Sequence, residues 1–128
     1  MVAWDDYKAI AKDRGALALE LYVVESRPQK SPDDVKQCLA AHLEYQRELE
    51  QRGILVLAGP LSDPTGASME GAGMIVYRAG SMAEAKRLAE DDPMHRDGAR
   101  GFTLRKWLVN EGSVSLNVGL STGKAQLS

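Results

Sequence analysis

The chain is poor in the residues that most often form disulfides and metal sites. It contains one cysteine and two histidines among 128 residues. The lone cysteine, Cys38, has no internal partner for a disulfide, which favours a reducing cytoplasm. One cysteine and two histidines at no close ligand spacing are too few for a structural zinc site. We therefore expect no metal.

Long apolar runs and an excess of one charge are also missing. No segment approaches the roughly 20 apolar residues that cross a membrane, and the first six residues lack the basic and apolar regions of a signal peptide. The net charge is −2 with scattered basic residues, which predicts no nucleic-acid surface. Gly71-Ala72-Gly73 lacks the spacing of a dinucleotide-binding loop, so no cofactor is expected. These absences predict a globular cytoplasmic protein without a membrane partner.

What the chain does contain is an alternation of strand and helix patterns. The order β-α-β-β-α-β predicts an α+β, ferredoxin-like fold, with an antiparallel sheet and two helices on one face. A short helix precedes this core and a short strand follows it. Residues 59–66 and the tail from residue 121 read as loop. The expected elements are helices at 4–14, 31–52 and 81–92 and strands at 16–24, 54–58, 73–78, 101–109 and 114–118.

The length predicts a single domain over residues 1–128. Its core spans about residues 17–109, with an N-terminal helix over 1–15 and an extra strand and tail over 110–128. We expect the extra strand to form a hairpin with the strand before it. Leu and Val occupy both sides of several strands, so the sheet face away from the helices needs a cover. A second copy of the sheet supplies it, which predicts a homodimer or higher homo-oligomer.

Two side chains stand out as candidates for chemistry. His42 lies on the apolar stripe of the first long helix, and Asp92 ends the apolar face of the second, just before Pro93. The two helices lie side by side in this fold, so the pair can meet. A carboxylate fixes the tautomer of a histidine and suits the ring to proton transfer near neutral pH. This hypothesis requires the two groups to lie within about 8 Å of each other.

Each candidate also has a structural explanation. A histidine at the edge of a core is often satisfied by a backbone carbonyl, and an aspartate before proline is a common helix N-cap. Ser62 is a candidate substrate contact, although a serine in a Pro/Gly loop commonly just turns the chain. Tyr45 is a candidate pocket residue or simple packing.

Three further residues are expected to be structural. Cys38 is expected to be a small buried apolar residue without a basic neighbour. His95 and Arg96 are expected to decorate an exposed turn.

Three short motifs occur in order along the chain, and together they resemble the YciI-like (YCII-related) proteins. The resemblance covers about residues 17–109 and includes Trp107, where the family often ends its last core strand. The motifs are Ala41-His42-Leu43-Glu44-Tyr45, Leu57-Ala58-Gly59-Pro60-Leu61 and Asp92-Pro93-Met94.

The resemblance implies a dimeric α/β barrel and an active site whose His–Asp pair maps onto His42 and Asp92. It also implies elimination or isomerisation of small ring substrates. The resulting hypothesis is a cofactor-independent lyase or isomerase, in which His42 moves a proton of a small cyclic metabolite and Asp92 orients the ring. The alternatives are a non-catalytic small-molecule-binding module and a dimeric interaction module. The N-terminal helix and the strand after Trp107 depart from the short family form and can reshape the pocket mouth or the dimer contact.

Overall fold

The computed structural model describes all residues 1–128 and contains five helices and six strands. Their order confirms the β-α-β-β-α-β core, with a helix before it and short strands after it. The helices are α1 Trp4–Asp13, α2 Pro32–Gln37, α3 Leu39–Gln51, α4 Met82–Asp91 and α5 Pro93–Arg96. The strands are β1 Leu19–Pro28, β2 Leu55–Ser62, β3 Met69–Tyr77, β4 Arg100–Val109, β5 Leu116–Val118 and β6 Ala125–Leu127. No helix is both long and apolar enough to cross a membrane.

The central sheet has the strand order β2-β3-β1-β4. Strand β3 pairs antiparallel with both β1 and β2, so that Val76 faces Val23 on one side and Leu57 on the other. This is the order expected of two interleaved βαβ units, and the fold is therefore ferredoxin-like and of the α+β class, as predicted.

Strand β2 continues through residues for which a loop was predicted. Gly59 pairs with Met74 and Pro60 pairs with Gly73, and the register shifts between Pro60 and Ser62. Proline is tolerated here because β2 is an edge strand, whose outer side needs no hydrogen-bond donor. The loop predicted at 59–66 was thus wrong in its first half.

The helix predicted over residues 31–52 is divided into α2 and α3 at Cys38. Ser31 caps α2 by accepting a hydrogen bond from the Asp34 N–H at 3.2 Å. The Cys38 N–H then bonds to the carbonyl of Val35, three residues back, which ends the regular α-helical ladder. Cys38 itself is half-buried rather than buried, so that prediction was only partly right. The break gives α3 its own start one turn before His42.

Helices α3 and α4 pack on one face of the sheet. Every second residue of β1 and β3 points toward the helices and packs against their small or apolar side chains. This packing removes the apolar surface of both from water. Each large side chain buried in this way contributes roughly 1.5–3 kcal/mol. The buried cluster comprises Tyr22, Val24, Leu49, Ile75, Tyr77, Ala85 and Ala89.

The chain divides into two compact units. One consists of Glu20–Trp107 and holds the sheet and its helices; the other consists of Met1–Leu19 and Leu108–Ser128. The single-domain assignment over 1–128 remains a prediction.

The strand predicted near residue 114 does not pair with β4 as expected. Leu116–Val118 pairs antiparallel with Ala125–Leu127, in the tail for which a loose conformation was predicted. Gly123 takes a positive φ of 68° and its N–H bonds to the Gly119 carbonyl, so the chain reverses within a few residues. A local turn thus gave β5 a closer partner than β4.

Candidate active site

A cavity of about 850 Å³ lies in the unit that carries the sheet. Its walls come from α2, α3, β1, β2 and β3, with Met94 of α5 and Arg100 of β4 completing them. Most of the lining is apolar, including Leu39, Leu43 and Ile75. The Ala58-Gly59-Pro60 segment of β2 forms part of the wall. A cavity of this size and character suits a small organic molecule.

His42 and Asp92 meet at the cavity. The His42 Nδ1 atom lies 2.8 Å from each carboxylate oxygen of Asp92. The Asp92 side chain is completely buried, whereas that of His42 is 16% exposed and lines the cavity. The predicted pairing is therefore confirmed, and Asp91, which is exposed, takes no part in it.

The helix N-cap, which was the structural explanation of Asp92, is also present. Asp92 precedes Pro93 at the start of α5, and its Oδ1 atom accepts a hydrogen bond from the Met94 N–H at 3.0 Å. One carboxylate therefore both caps α5 and contacts the His42 ring. The contact with His42 and the helix cap therefore coexist, and the catalytic role of the pair stays a prediction.

The pairing fixes the tautomer of His42. An ionised carboxylate only accepts hydrogen bonds, so Nδ1 of His42 carries the proton that it donates to Asp92. The lone pair of a neutral ring then lies on Nε2, which makes no hydrogen bond within the protein. His42 lines the cavity, and Nε2 is the ring nitrogen that the contact with Asp92 leaves unused. A histidine arranged in this way is able to accept and return a proton.

Two tyrosines pack near this carboxylate. Burial, followed by the negative charges of Asp91 and Asp92, raises the pKa of Tyr45 to about 12. Burial raises the pKa of Tyr77 further, with Asp92 as the next cause. The Tyr77 hydroxyl is buried without a hydrogen-bond partner. Both phenols are therefore neutral at physiological pH.

Tyr45 and Ser62, the predicted substrate contacts, lie outside the cavity lining. The Tyr45 hydroxyl donates to the Leu88 carbonyl at 2.7 Å, which turns the ring toward α4. Ser62 is exposed at the end of β2, and its hydroxyl donates to the Asp63 carbonyl at 2.9 Å. Neither residue lines the cavity beside His42, so this cavity does not favour the prediction that they contact a substrate.

His95 does not decorate an exposed turn as expected. Its ring is half-buried, with its centroid 4.8 Å from that of Phe102. Nδ1 lies 2.8 Å from the Ala89 carbonyl, and Nε2 lies 2.8 Å from Ser26 Oγ. Since a carbonyl only accepts, Nδ1 carries the proton, and Nε2 of the neutral ring accepts from the Ser26 hydroxyl. Burial lowers the pKa of His95, which keeps the ring neutral. The exposed-turn prediction was wrong because α5 turns this side chain back onto the sheet.

Sequence reasoning also missed Ser26 and Arg100, which join His95 in one network. Arg100 Nε donates to Ser26 Oγ at 2.8 Å, and Nη2 donates to the Ser26 and Gly71 carbonyls. Both side chains line the cavity. The two-residue strand period gave a signal: Ser26 follows Tyr22 and Val24 on one face of β1.

The last feature of the site concerns side chains that could bind a metal ion. No group of three or more His, Cys, Asp or Glu side chains is arranged to hold a metal ion.

Comparison with known proteins places this geometry in a family. The YCII-related domain matches residues 19–107. The protein is 32% identical over 73 residues to the uncharacterized protein YjpA of Bacillus subtilis (strain 168), across 57% of this chain and 79% of that protein.

A solved structure shares the fold. It is the 5-chloro-2-hydroxyhydroquinone dehydrochlorinase TftG of Burkholderia phenoliruptrix in complex with 2,5-dihydroxybenzoquinone. The TM-score is 0.52 at 20% identity, and the match covers 68% of this chain and 92% of that one. The chain belongs to the YCII-related domain family.

Proposed function

We propose that the protein is a cofactor-independent enzyme that transfers a proton on a small cyclic metabolite, in a lyase or isomerase reaction. The observation that carries the proposal is the buried Asp92 carboxylate at 2.8 Å from Nδ1 of His42, a ring that lines the cavity and whose Nε2 makes no hydrogen bond within the protein. His42 is the proposed catalytic base, and Asp92 positions it.

The reaction follows from the state of the His42 ring. Nε2 of His42 takes a proton from a carbon or hydroxyl group of the substrate. The electrons of the broken bond form a new double bond in the substrate. In an elimination a leaving group departs with its bonding pair; in an isomerisation His42 returns the proton to another atom. Asp92 stabilises the imidazolium that forms between these steps. A base placed in this way contributes about 10²–10⁴-fold to the rate.

Two further observations support this reaction class. The structural relative is named as a dehydrochlorinase and holds a dihydroxybenzoquinone, so elimination at a ring is known on this fold. The cavity of about 850 Å³ has room for a substituted six-membered ring.

A screen for substrate loss tests the proposal. Purified protein is incubated with a panel of small lactones and halogenated phenolics, and the consumption of each compound is followed by chromatography. We expect His42→Ala to abolish the consumption of any substrate while ligand binding persists. Glu50→Ala, an exposed change on the same helix, serves as the control and should leave turnover intact.

The alternative functions give different results in this screen. A binding module retains a ligand in the cavity, but neither the wild-type protein nor His42→Ala consumes it. An interaction module binds no compound of the panel at all. Either result contradicts the catalytic proposal.

We also propose that the protein is a homodimer. Leu57 and Trp107 lie on the sheet face away from α3 and α4, and they are 60% and 43% exposed. Apolar side chains at this exposure on a sheet face suit burial against a second copy.

A further inference from the structure

We propose that Arg100 is the anion-binding residue of the cavity and that the ligand is a small ring carrying a carboxylate or another anionic oxygen. The inference deepens the proposed function, because it names the chemistry of the ligand that His42 would meet. It stands on the hydrogen-bond inventory of the guanidinium and on the charges around the cavity.

The guanidinium of Arg100 is held in place but not saturated. An arginine has five N–H donors. The Nε donor is used by Ser26 Oγ, and Nη2 donates to the carbonyls of Ser26 and Gly71. Nη1 makes no hydrogen bond within the protein, so its two donors remain. Because Arg100 lines the cavity, these donors are the part of the group left for a ligand.

No carboxylate is in direct contact with the positive charge of Arg100. The side chain is half-buried and forms no contact ion pair. Burial lowers its pKa, and the negative charge of Asp92 only partly offsets this from beyond ion-pair distance. Its three partners are neutral oxygens. A half-buried cation in this state is stabilised by an anion more than an exposed one would be, because less water screens it. A ligand oxygen at Nη1 supplies an anion in direct contact with the guanidinium.

The rest of the lining has the same sign. Three cationic side chains, Lys30, Lys36 and Arg100, face the cavity, against one carboxylate, Glu70. The Lys30 ammonium is already bound to the Asp97 carbonyl at 3.1 Å. With the buried Asp92 carboxylate behind His42 included, the balance is three cations against two carboxylates. The field in the cavity therefore favours a negatively charged ligand, and Arg100 is the cation that the fold holds by the most hydrogen bonds.

Ser26 and His95 position Arg100. Ser26 is 3% exposed, and its hydroxyl accepts from Arg100 Nε while it donates to the neutral His95 ring. These hydrogen bonds fix the plane of the Arg100 guanidinium before a ligand binds. A guanidinium that is already fixed loses less rotamer entropy on binding than the guanidinium of a free side chain does.

The experiment compares benzoate with benzamide, which have nearly the same shape and differ in charge. Dissociation constants are measured by titration of the wild-type protein, followed by backbone amide shifts in NMR. We expect benzoate to bind at least about tenfold more tightly than benzamide, and Arg100→Gln to remove that preference. In the wild-type protein, the amides of Ser26, Gly71 and Arg100 should shift most, a readout that does not depend on the variant folding.

Two controls separate the possible outcomes. Arg96→Gln removes an exposed arginine outside the cavity and should leave benzoate binding unchanged. His42→Ala should also bind benzoate, so this inference can hold even when the proposed catalysis fails. Equal affinity for the two probes overturns the proposal, as does unchanged benzoate binding in Arg100→Gln or a loss of binding caused by Lys36→Gln alone.

Discussion

Asp92 serves two neighbours at once, and this double role decides how it has to be tested. Its Oδ1 atom caps α5 through the Met94 N–H, while both oxygens lie 2.8 Å from His42 Nδ1. Alanine removes both functions and confuses stability with chemistry. Asparagine is an equally good N-cap but has no charge. Substitution by asparagine therefore separates the cap from the catalytic pair.

Tyr77 is expected to limit the stability of the core. Its hydroxyl is buried without a partner, whereas that of Tyr45 donates to the Leu88 carbonyl at 2.7 Å. Tyr77→Phe should raise the free energy of unfolding by roughly 1 kcal/mol, because it removes an unsatisfied polar group. Tyr45→Phe should lower it by about the same amount. Urea denaturation measures both; a loss of stability in Tyr77→Phe would contradict the assignment.

His95 is expected to make the stability depend on pH. Burial lowers its pKa in the folded protein, whereas in the unfolded chain it titrates near 6.5. As the pH falls below about 6.5, the unfolded state binds the proton first, so the free energy of unfolding falls until the folded pKa is reached. Its contribution to stability is complete above that range. His95→Gln should flatten this part of the profile, measured by urea denaturation from about pH 7.5 to about pH 5. An unchanged profile in His95→Gln would refute the account.

At the scale of elements, strand and helix periods predicted most of the fold but not every side-chain environment. Phe102 and Leu104 pack against the buried cluster from one face of β4, and Arg100 lies two residues earlier on that face. The period was therefore able to place Arg100 beside the cavity. The half-burial of His95 was not predictable in this way, because it depends on how α5 packs against Ser26, which lies 69 residues away in sequence.

The residues Ser81-Met82-Ala83-Glu84 at the start of α4 fit a capping box, but one of its two hydrogen bonds differs. Ser81 Oγ accepts from the Glu84 N–H at 3.1 Å, but the Glu84 carboxylate accepts from the N–H of Gly80 instead of Ser81. Ser81→Ala should lower the free energy of unfolding by about 1 kcal/mol, and Ser81→Gly by only a few tenths. Thermal or urea denaturation of both variants measures the difference. An equal loss in both variants would show that the side-chain cap is not responsible.

At the scale of the whole molecule, the proposed homodimer depends on the sheet face that carries Leu57. This side chain lies beside Val76 in the strand register and is 60% exposed. Leu57→Glu places a charge on that face, and we expect it to convert a dimer into a monomer, measured by sedimentation equilibrium. Glu44→Gln on the exposed face of α3 is the matched control. A wild-type protein that sediments as a monomer would remove the dimer proposal.

The pairing of His42 with Asp92 is the central claim, and turnover in Asp92→Asn tests it most directly. The measurement is the rate of substrate loss at saturating concentration in Asp92→Asn and in Asp91→Asn, its exposed neighbour. The account predicts that Asp92→Asn folds, binds ligand and loses roughly 10²-fold or more in kcat, while Asp91→Asn matches the wild-type protein. Equal rates in all three proteins would show that Asp92 is only a helix cap.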